Sequence, residues 1–199
     1  MAVVDYSLLN KDTQALAVAL RYRDKHTHWH SRRVHALSWQ MGKQIGLDAP
    51  ELELLAIAAS FHDIGKIGIP DHILFKPGRL EPDERTIMNR HAETGEKIIL
   101  ATSIEGCIEV AEVIRHHHEH FDGDGYPDQL RGETIPIASR IISLNDSYDA
   151  MAETRAYHRG RTHAEIMQVI ESECGSKHDP WLFKQFAPLI ERSEFRAHP

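Results

Sequence analysis

The chain has 199 residues, 41% of them hydrophobic, which is enough for one domain with a single core. Its formal net charge of -7 argues against a surface that holds polymeric nucleic acid, because such binding depends on many cations that displace counterions. No apolar run is long enough to cross a bilayer, and the N-terminus lacks a basic segment followed by an apolar one. We therefore expect a cytoplasmic protein with no membrane partner.

The hydrophobic pattern follows the helical period along most of the chain, which predicts an all-α fold. Residues 1–26 are predicted to form a short N-terminal helical arm, and residues 27–199 a single helical domain. The arm could pair two chains into a homodimer or cover the core of its own domain. The pattern alone leaves both alternatives open.

The first predicted helix of the domain covers residues 27–45 and ends at Gly46, a residue type that is frequent at helix C-caps. Pro50 begins the next helix, whose body is apolar almost throughout and should be buried. We expect this helix to end where Gly65 permits a left-handed turn. That end carries two residues with the chemistry of metal ligands, His62 and Asp63.

Two long ordered loops are predicted. The first, residues 67–83, is rich in Pro, Gly and Asp and should be packed by its apolar residues, which are Ile67, Ile69, Ile73, Leu74 and Phe75. The second, residues 122–136, has the sequence DGDGYPDQLRGETIP. Long ordered loops in compact domains usually have a function.

Between and after the loops, proline and capping residues mark the remaining helices. One should begin at Pro82 and carry His91. Others are expected over residues 104–120, from Pro136 through Asp146, over 162–173, and from Asp179 to Glu191.

Several motifs occur in a fixed order between about His30 and about Phe186. They are HDIGKIGIP, the ILFKPG turn, the HHE of residues 117–119, the DGDGYP loop, GETIP and a D-x-Y-D-A-M run. In this order they resemble the HD-GYP family of bacterial cyclic dinucleotide phosphodiesterases, a branch of the HD phosphohydrolase superfamily. The resemblance implies an HD-domain helical bundle and identifies residues 27–199 as the catalytic domain.

The resemblance also implies a pair of metal ions. In HD-type sites a His of an early helix, the His-Asp pair and a later Asp hold one ion, and three further histidines hold another. The seven matching residues here are His30, His62, Asp63, Asp146, His91, His117 and His118. Asp63 would bridge the two ions. Imidazole and carboxylate suit divalent transition metals, and we expect Fe or Mn, with Zn, Ni or Co as alternatives.

A third metal is not favoured. In family members that hold a third metal, the early helix carries a Glu-x-x-x-His pattern. This chain has His26 at the position of the Glu, followed by His30. An imidazole at position 26 supplies no negative charge and cannot chelate through two oxygens.

By the same resemblance, Asp63 and Lys66 are the expected catalytic residues, and a hydroxide that bridges the metals attacks phosphorus. Lys66, Gly123, Tyr126 and Arg155 are the expected substrate contacts. Plainer roles are also available, because DGDG is ordinary turn chemistry and the Tyr126 ring could pack beneath the loop. The family's R-P-Y-R/K segment reads R-A-Y-H here, so Ala156 replaces the proline and His158 replaces the permanent cation.

The implied activity is hydrolysis of cyclic di-GMP to linear pGpG, and GMP is an alternative end product. A related cyclic dinucleotide such as cyclic GMP-AMP is an alternative substrate. Two other functions remain open: a receptor or adaptor that binds a cyclic dinucleotide without cutting it, and an HD phosphohydrolase that acts on another nucleotide. Regulation is expected from a separate protein, self-association or metal loading.

Overall fold

The computed structural model describes residues 11–103, 105–153 and 160–197, and within these ranges it contains helices and no β-strand. The prediction of an all-α fold is therefore confirmed. The α-helices are α1 (Lys11–Arg23), α2 (Lys25–Ile45), α3 (Ala49–Phe61), α4 (Asp71–Leu74), α5 (Pro82–Asn89), α6 (His91–Leu100), α7 (Cys107–Arg115), α8 (Ile137–Ala152), α9 (His163–Ser172) and α10 (Pro180–Ile190). Two 3-10 turns cover Ile64–Gly68 and Gly132–Thr134.

Local capping explains the limits of α2. At its N-terminus the Asp24 carboxylate accepts the His26 amide at 2.9 Å and the Thr27 hydroxyl at 2.6 Å. At its C-terminus Gly46 has φ 83°, the left-handed conformation that residues with a Cβ rarely adopt. The predicted end of this helix is confirmed.

The start of α3 is also confirmed, since Asp48 and Glu51 form a capping box and Pro50 lies in the first turn. The expected role of Gly65 is wrong, because this residue lies in the 3-10 turn and does not have a positive φ. A Cβ at position 65 would lie 1.9 Å from the His91 carbonyl oxygen. Glycine is therefore needed for the close approach of this turn to α6.

Two predicted helices are shorter than expected. The helix from Pro82 is interrupted at Arg90, so that His91 is the first residue of α6. A helix was expected over residues 104–120, but the observed helix is the shorter α7, which follows Gly106 at φ 72°. After α7 the chain turns, and the His117 Nδ1 donates to the Ile114 carbonyl, an acceptor that a helix leaves free at its end.

The first predicted loop is more regular than expected, because it includes α4 and overlaps the 3-10 turn. Ile69 and Ile73 are buried, as predicted. Phe75 is not part of this packing, since 52% of it is exposed, and the Arg23 guanidinium lies over its ring.

The core surrounds α2, which packs against α1, α3, α8 and α10. On one side of it, α6 packs against α7 and the 3-10 turn at Ile64–Gly68. None of the helices in the described ranges combines the length and the apolar character needed to span a membrane. The N-terminal half of α2, the end of α3, the start of α6, the turn after α7 and the C-terminal half of α8 meet at one place.

Candidate metal centre

The end of α3 places two side chains in the interior. His62 is fully buried and Asp63 is 2% exposed. The His62 Nδ1 donates to the Ala59 carbonyl at 2.8 Å, so the ring presents Nε2 away from the helix. This Nε2 is buried and makes no hydrogen bond in the part of the chain that the structure describes. A buried nitrogen without a partner is costly unless it binds something.

The first group of candidate ligands surrounds the Oδ2 atom of Asp63. The Nε2 atoms of His62 and His30 lie 3.6 and 4.0 Å from it. From α8, an oxygen of Asp146 lies 2.9 Å from the His30 Nε2. The structure thus brings together the four residues predicted for the first ion.

The second group lies against the Oδ1 atom of Asp63, which is 3.5 Å from the His91 Nε2. The His91 Nε2 is 3.4 Å from the Nε2 of His117 and 3.1 Å from that of His118. Candidate ligand atoms of these three histidines all lie within 4.8 Å of one another. Each carboxylate oxygen of Asp63 therefore faces a different group of histidines.

In four of the five candidate ligand histidines, a hydrogen bond at Nδ1 fixes the ring. The Nδ1 atoms of His62, His91 and His117 donate to main-chain carbonyls at 2.6 to 2.8 Å. The Nδ1 of His30 bonds the Asp149 carboxylate at 2.6 Å. Such bonds fix the tautomer and leave Nε2 available for a metal.

Asp149 was not predicted as a site residue. It lies three residues after Asp146, on the same face of α8, and this spacing was the available signal. Its carboxylate also accepts two hydrogen bonds from the Arg33 guanidinium, at 2.7 and 2.9 Å. Asp149 and Arg33 together fix the orientation of His30.

Burial keeps most of these imidazoles neutral. Burial, together with His62 and His91, lowers the pKa of His117 to about 3. Burial also lowers the pKa of three further histidines, which are His62, His91 and His118. Neutral imidazole is the form that binds metals.

His30 behaves differently because it lies between two acids. Burial alone would lower its pKa, but hydrogen bonds to Asp146 and Asp149 raise the pKa to about 10. In the metal-free protein His30 is therefore a cation, and metal binding at its Nε2 would require loss of a proton.

The acids of the site are ionised despite burial. Burial opposes charge on Asp63, but Lys66 and the surrounding histidines hold its pKa well below the usual value. Lys66 is the closest cation, with its Nζ 2.6 Å from Asp63 Oδ2. The structure thus places the predicted catalytic lysine directly at the shared carboxylate.

The second loop lies beside His118. The ring of Tyr126 is tilted against the His118 ring with 4.9 Å between centroids. Burial, then Asp146 and Asp63, raise the pKa of Tyr126, so its hydroxyl stays protonated. Gly123 takes the left-handed conformation at φ 91°, as its turn requires. Arg155 lies outside the described residues.

The site fits a pair of divalent ions on its own chemistry. Two clusters of nitrogen and oxygen donors share one carboxylate, the imidazoles are mostly neutral, and one buried Nε2 has no other partner in the described ranges. His26 belongs to neither group: it is exposed, and its Nδ1 lies 3.2 Å from an oxygen of Glu153, a residue that forms a third set of candidate donors with His30 and Asp149.

Comparison with known proteins gives a consistent result. Residues 14–182 match the sequence profile of the HD domain. The chain is 38% identical over 176 residues to a cyclic di-GMP phosphodiesterase of Thermotoga maritima, which covers 88% of this chain and 48% of that protein. It is 37% identical over 168 residues to a 3'3'-cGAMP-specific phosphodiesterase of Vibrio cholerae, which covers 84% of this chain and 32% of that protein. The chain spans about half the length of the first relative and a third of the second.

A solved structure shares the fold. Bd1817, an HDG"Y"P protein from Bdellovibrio bacteriovorus, superposes with a TM-score of 0.69 at 20% identity, over 94% of this chain and 60% of that chain. This likeness agrees with the predicted HD-domain bundle. At such low identity it carries the fold alone.

Proposed function

Because this chain belongs to the HD domain family, we propose that it is a metal-dependent phosphodiesterase that hydrolyses cyclic di-GMP to linear pGpG. The observation that carries the proposal is the position of Asp63, whose two oxygens face two separate groups of histidines. A carboxylate shared in this way suits a two-metal site, an arrangement common in enzymes that cleave phosphate esters.

The substrate class comes from the relatives. One is named for cyclic di-GMP and another for 3'3'-cGAMP, and both names describe phosphodiesterases of cyclic dinucleotides. We propose cyclic di-GMP first, because it is the substrate that the sequence resemblance implies, with cyclic GMP-AMP as the competitor.

The proposed ligands of the first ion are His30, His62, Asp63 and Asp146, and those of the second are Asp63, His91, His117 and His118. Two divalent ions held there would supply positive charge at the phosphate and a water of lowered pKa. Fe or Mn are the proposed ions.

Two ions are proposed rather than three. The His26 Nδ1 lies 3.2 Å from an oxygen of Glu153, and the Arg33 guanidinium bonds both Glu153 and Asp149, at 3.0 and 2.7 Å. A cation in this position neutralises the acids that a third ion would need. The predicted preference for two ions thus gains support from Arg33.

The chain's own residues have separate tasks. Asp149 and Arg33 orient His30, and main-chain carbonyls orient three other histidines. Lys66 contributes a cation beside Asp63, where a phosphate oxygen can lie. Tyr126, Gly123 and Arg155 are proposed to contact the nucleotide. A cytoplasmic location, a homodimer and a regulatory protein partner remain predictions from the sequence.

The test is incubation of the reduced, anaerobic protein with Mn²⁺ or Fe²⁺ and a panel of cyclic di-GMP, cyclic GMP-AMP and mononucleotides. We expect pGpG from cyclic di-GMP, and no product from the Asp63→Asn variant. Turnover of the mononucleotides alone would favour another HD phosphohydrolase activity. Tight binding of cyclic di-GMP without turnover under either metal would favour a receptor.

A further inference from the structure

His118 differs from the other candidate ligand histidines. The other four have Nδ1 bonded to a carbonyl or a carboxylate. For His118 the structure gives a contact at Nε2, to His91, but no hydrogen bond at Nδ1 from any described residue. A metal ligand without an outer hydrogen bond needs another means of orientation.

The aromatic ring of Tyr126 packs against the His118 ring. Its centroid lies 4.9 Å from that of His118 with the planes tilted by 31°. The Tyr126 amide also donates to the His118 carbonyl at 3.2 Å, so the two residues are joined by backbone and ring. Aromatic packing of this kind restricts rotation of the imidazole.

The loop that carries Tyr126 is held by Glu119, the residue after His118. Glu119 is 2% exposed, and its two carboxylate oxygens accept the amides of Asp128 and Leu130 at 2.6 and 3.1 Å. Gly125 lies so close to this turn that a Cβ would be 2.2 Å from the His120 nitrogen. Glu119 thus ties the loop to the segment that bears the ligands.

A second set of bonds holds the loop from outside. The Asp128 carboxylate accepts two hydrogen bonds from Arg115 at 2.7 and 2.8 Å and lies 2.8 Å from the His116 Nε2. Arg115 also bonds Glu96 at 2.6 Å, on the same helix as His91. The loop is therefore fixed to both elements that supply the second group of histidines.

We propose that Tyr126, held in place by Glu119, is a positioning residue that orients His118 for the second ion by ring packing instead of a hydrogen bond. The inference rests on the proposed metal centre but not on the proposed substrate. It assigns the loop a task in the free protein, before any nucleotide binds.

The test measures affinity for the second ion by competition of Mn²⁺-loaded protein with a chelator, and stoichiometry by elemental analysis. Tyr126→Phe keeps the ring and should retain wild-type affinity. Tyr126→Leu should lower the affinity for the second ion about 10- to 100-fold, the range for loss of an outer contact to a metal ligand. Glu119→Gln should also lower the affinity for the second ion. The amide replaces one of the two accepting oxygens with a donor, so one main-chain N–H loses its acceptor.

The control is Glu51→Gln, which alters a carboxylate that accepts a main-chain amide at 2.9 Å in the capping box of α3, away from the site. We expect wild-type metal affinity from it. If Tyr126→Leu does not fold by circular dichroism, Glu119→Gln decides the question. Wild-type affinity for the second ion in the folded variants overturns the inference while the proposed function stands. Failure of the wild-type protein itself to bind two ions overturns both.

Discussion

At the scale of the residue, the site depends on how a single carboxylate is shared. Asp63 has Oδ2 near His62 and Oδ1 near His91, so its loss would remove a ligand from both groups. In the metal-free protein the same Oδ2 atom is paired with the Lys66 ammonium. Lys66 therefore neutralises buried charge here, and its proposed role in the metal-bound protein is to contact a phosphate.

Replacing Lys66 with alanine should lower kcat while both ions stay bound. The ammonium is not a proposed metal ligand. Its removal leaves one fewer cation to stabilise the charged phosphate oxygens of the transition state. Loss of one such stabilising group typically costs about 10²- to 10³-fold in kcat. Steady-state kinetics with parallel elemental analysis measures both quantities, and Lys66→Arg serves as the charge-preserving control. Unchanged kcat, or loss of an ion, would contradict the assigned role.

At the scale of the element, the site forms because the 3-10 turn at Ile64–Gly68 packs directly on α6. Gly65 permits this approach, and a Cβ there would also lie 2.6 Å from the Gly95 nitrogen. The contact brings Asp63, which precedes the turn, to His91, which begins α6. The backbone of both elements would have to move to admit a side chain.

Gly65→Ala should therefore destabilise the protein by about 3 kcal/mol or more, the upper part of the range for overpacked sites. The metal affinity of the second group should fall with it, because His91 moves. Gly68→Ala is the matched control in the same turn, where the nearest atom is the Thr94 Cγ2 at 3.3 Å. We expect a change within about 1 kcal/mol there. Urea unfolding compares the two, and equal effects would refute the packing argument.

Periodicity and capping residues were sufficient to predict most helices, because those signals are local. They could not predict that Gly65 serves a contact between elements distant in sequence, nor that the chain turns at Arg90 and after Arg115. The candidate ligands were predicted from the resemblance to a known family, which assigns them residue by residue. The roles of Asp149 and Glu119 in the site were missed, because they come from hydrogen bonds that only the folded chain shows.

At the scale of the whole molecule, the metal-free protein buries histidines whose protonation is unfavourable in the interior. Four buried histidines of the candidate site have lowered pKa values, which for His117 is about 3. An unfolded chain titrates these groups near pH 6.5. Below that pH the unfolded state binds more protons than the folded state, so stability must fall as the pH falls.

The free energy of unfolding of the metal-free protein should therefore decrease between pH 6.5 and 5. Each suppressed histidine contributes a slope approaching about 1.4 kcal/mol per pH unit. His30 does not offset this loss: its pKa is raised to about 10, so its stabilising contribution is already complete below pH 6.5 and is lost only as the pH rises toward 10. Urea unfolding across this range measures the slope, and His117→Gln should reduce it by one group. A flat or opposite dependence would contradict the buried, neutral state of these imidazoles.

The most direct test of the shared carboxylate is anomalous scattering from crystals of the protein loaded with Mn²⁺ or Fe²⁺, recorded at both absorption edges. We predict two peaks about 3.5 to 4 Å apart, one beside each oxygen of Asp63. One should lie among His30, His62 and Asp146, and the other among His91, His117 and His118. A single peak, or two peaks that do not flank Asp63, would contradict the account.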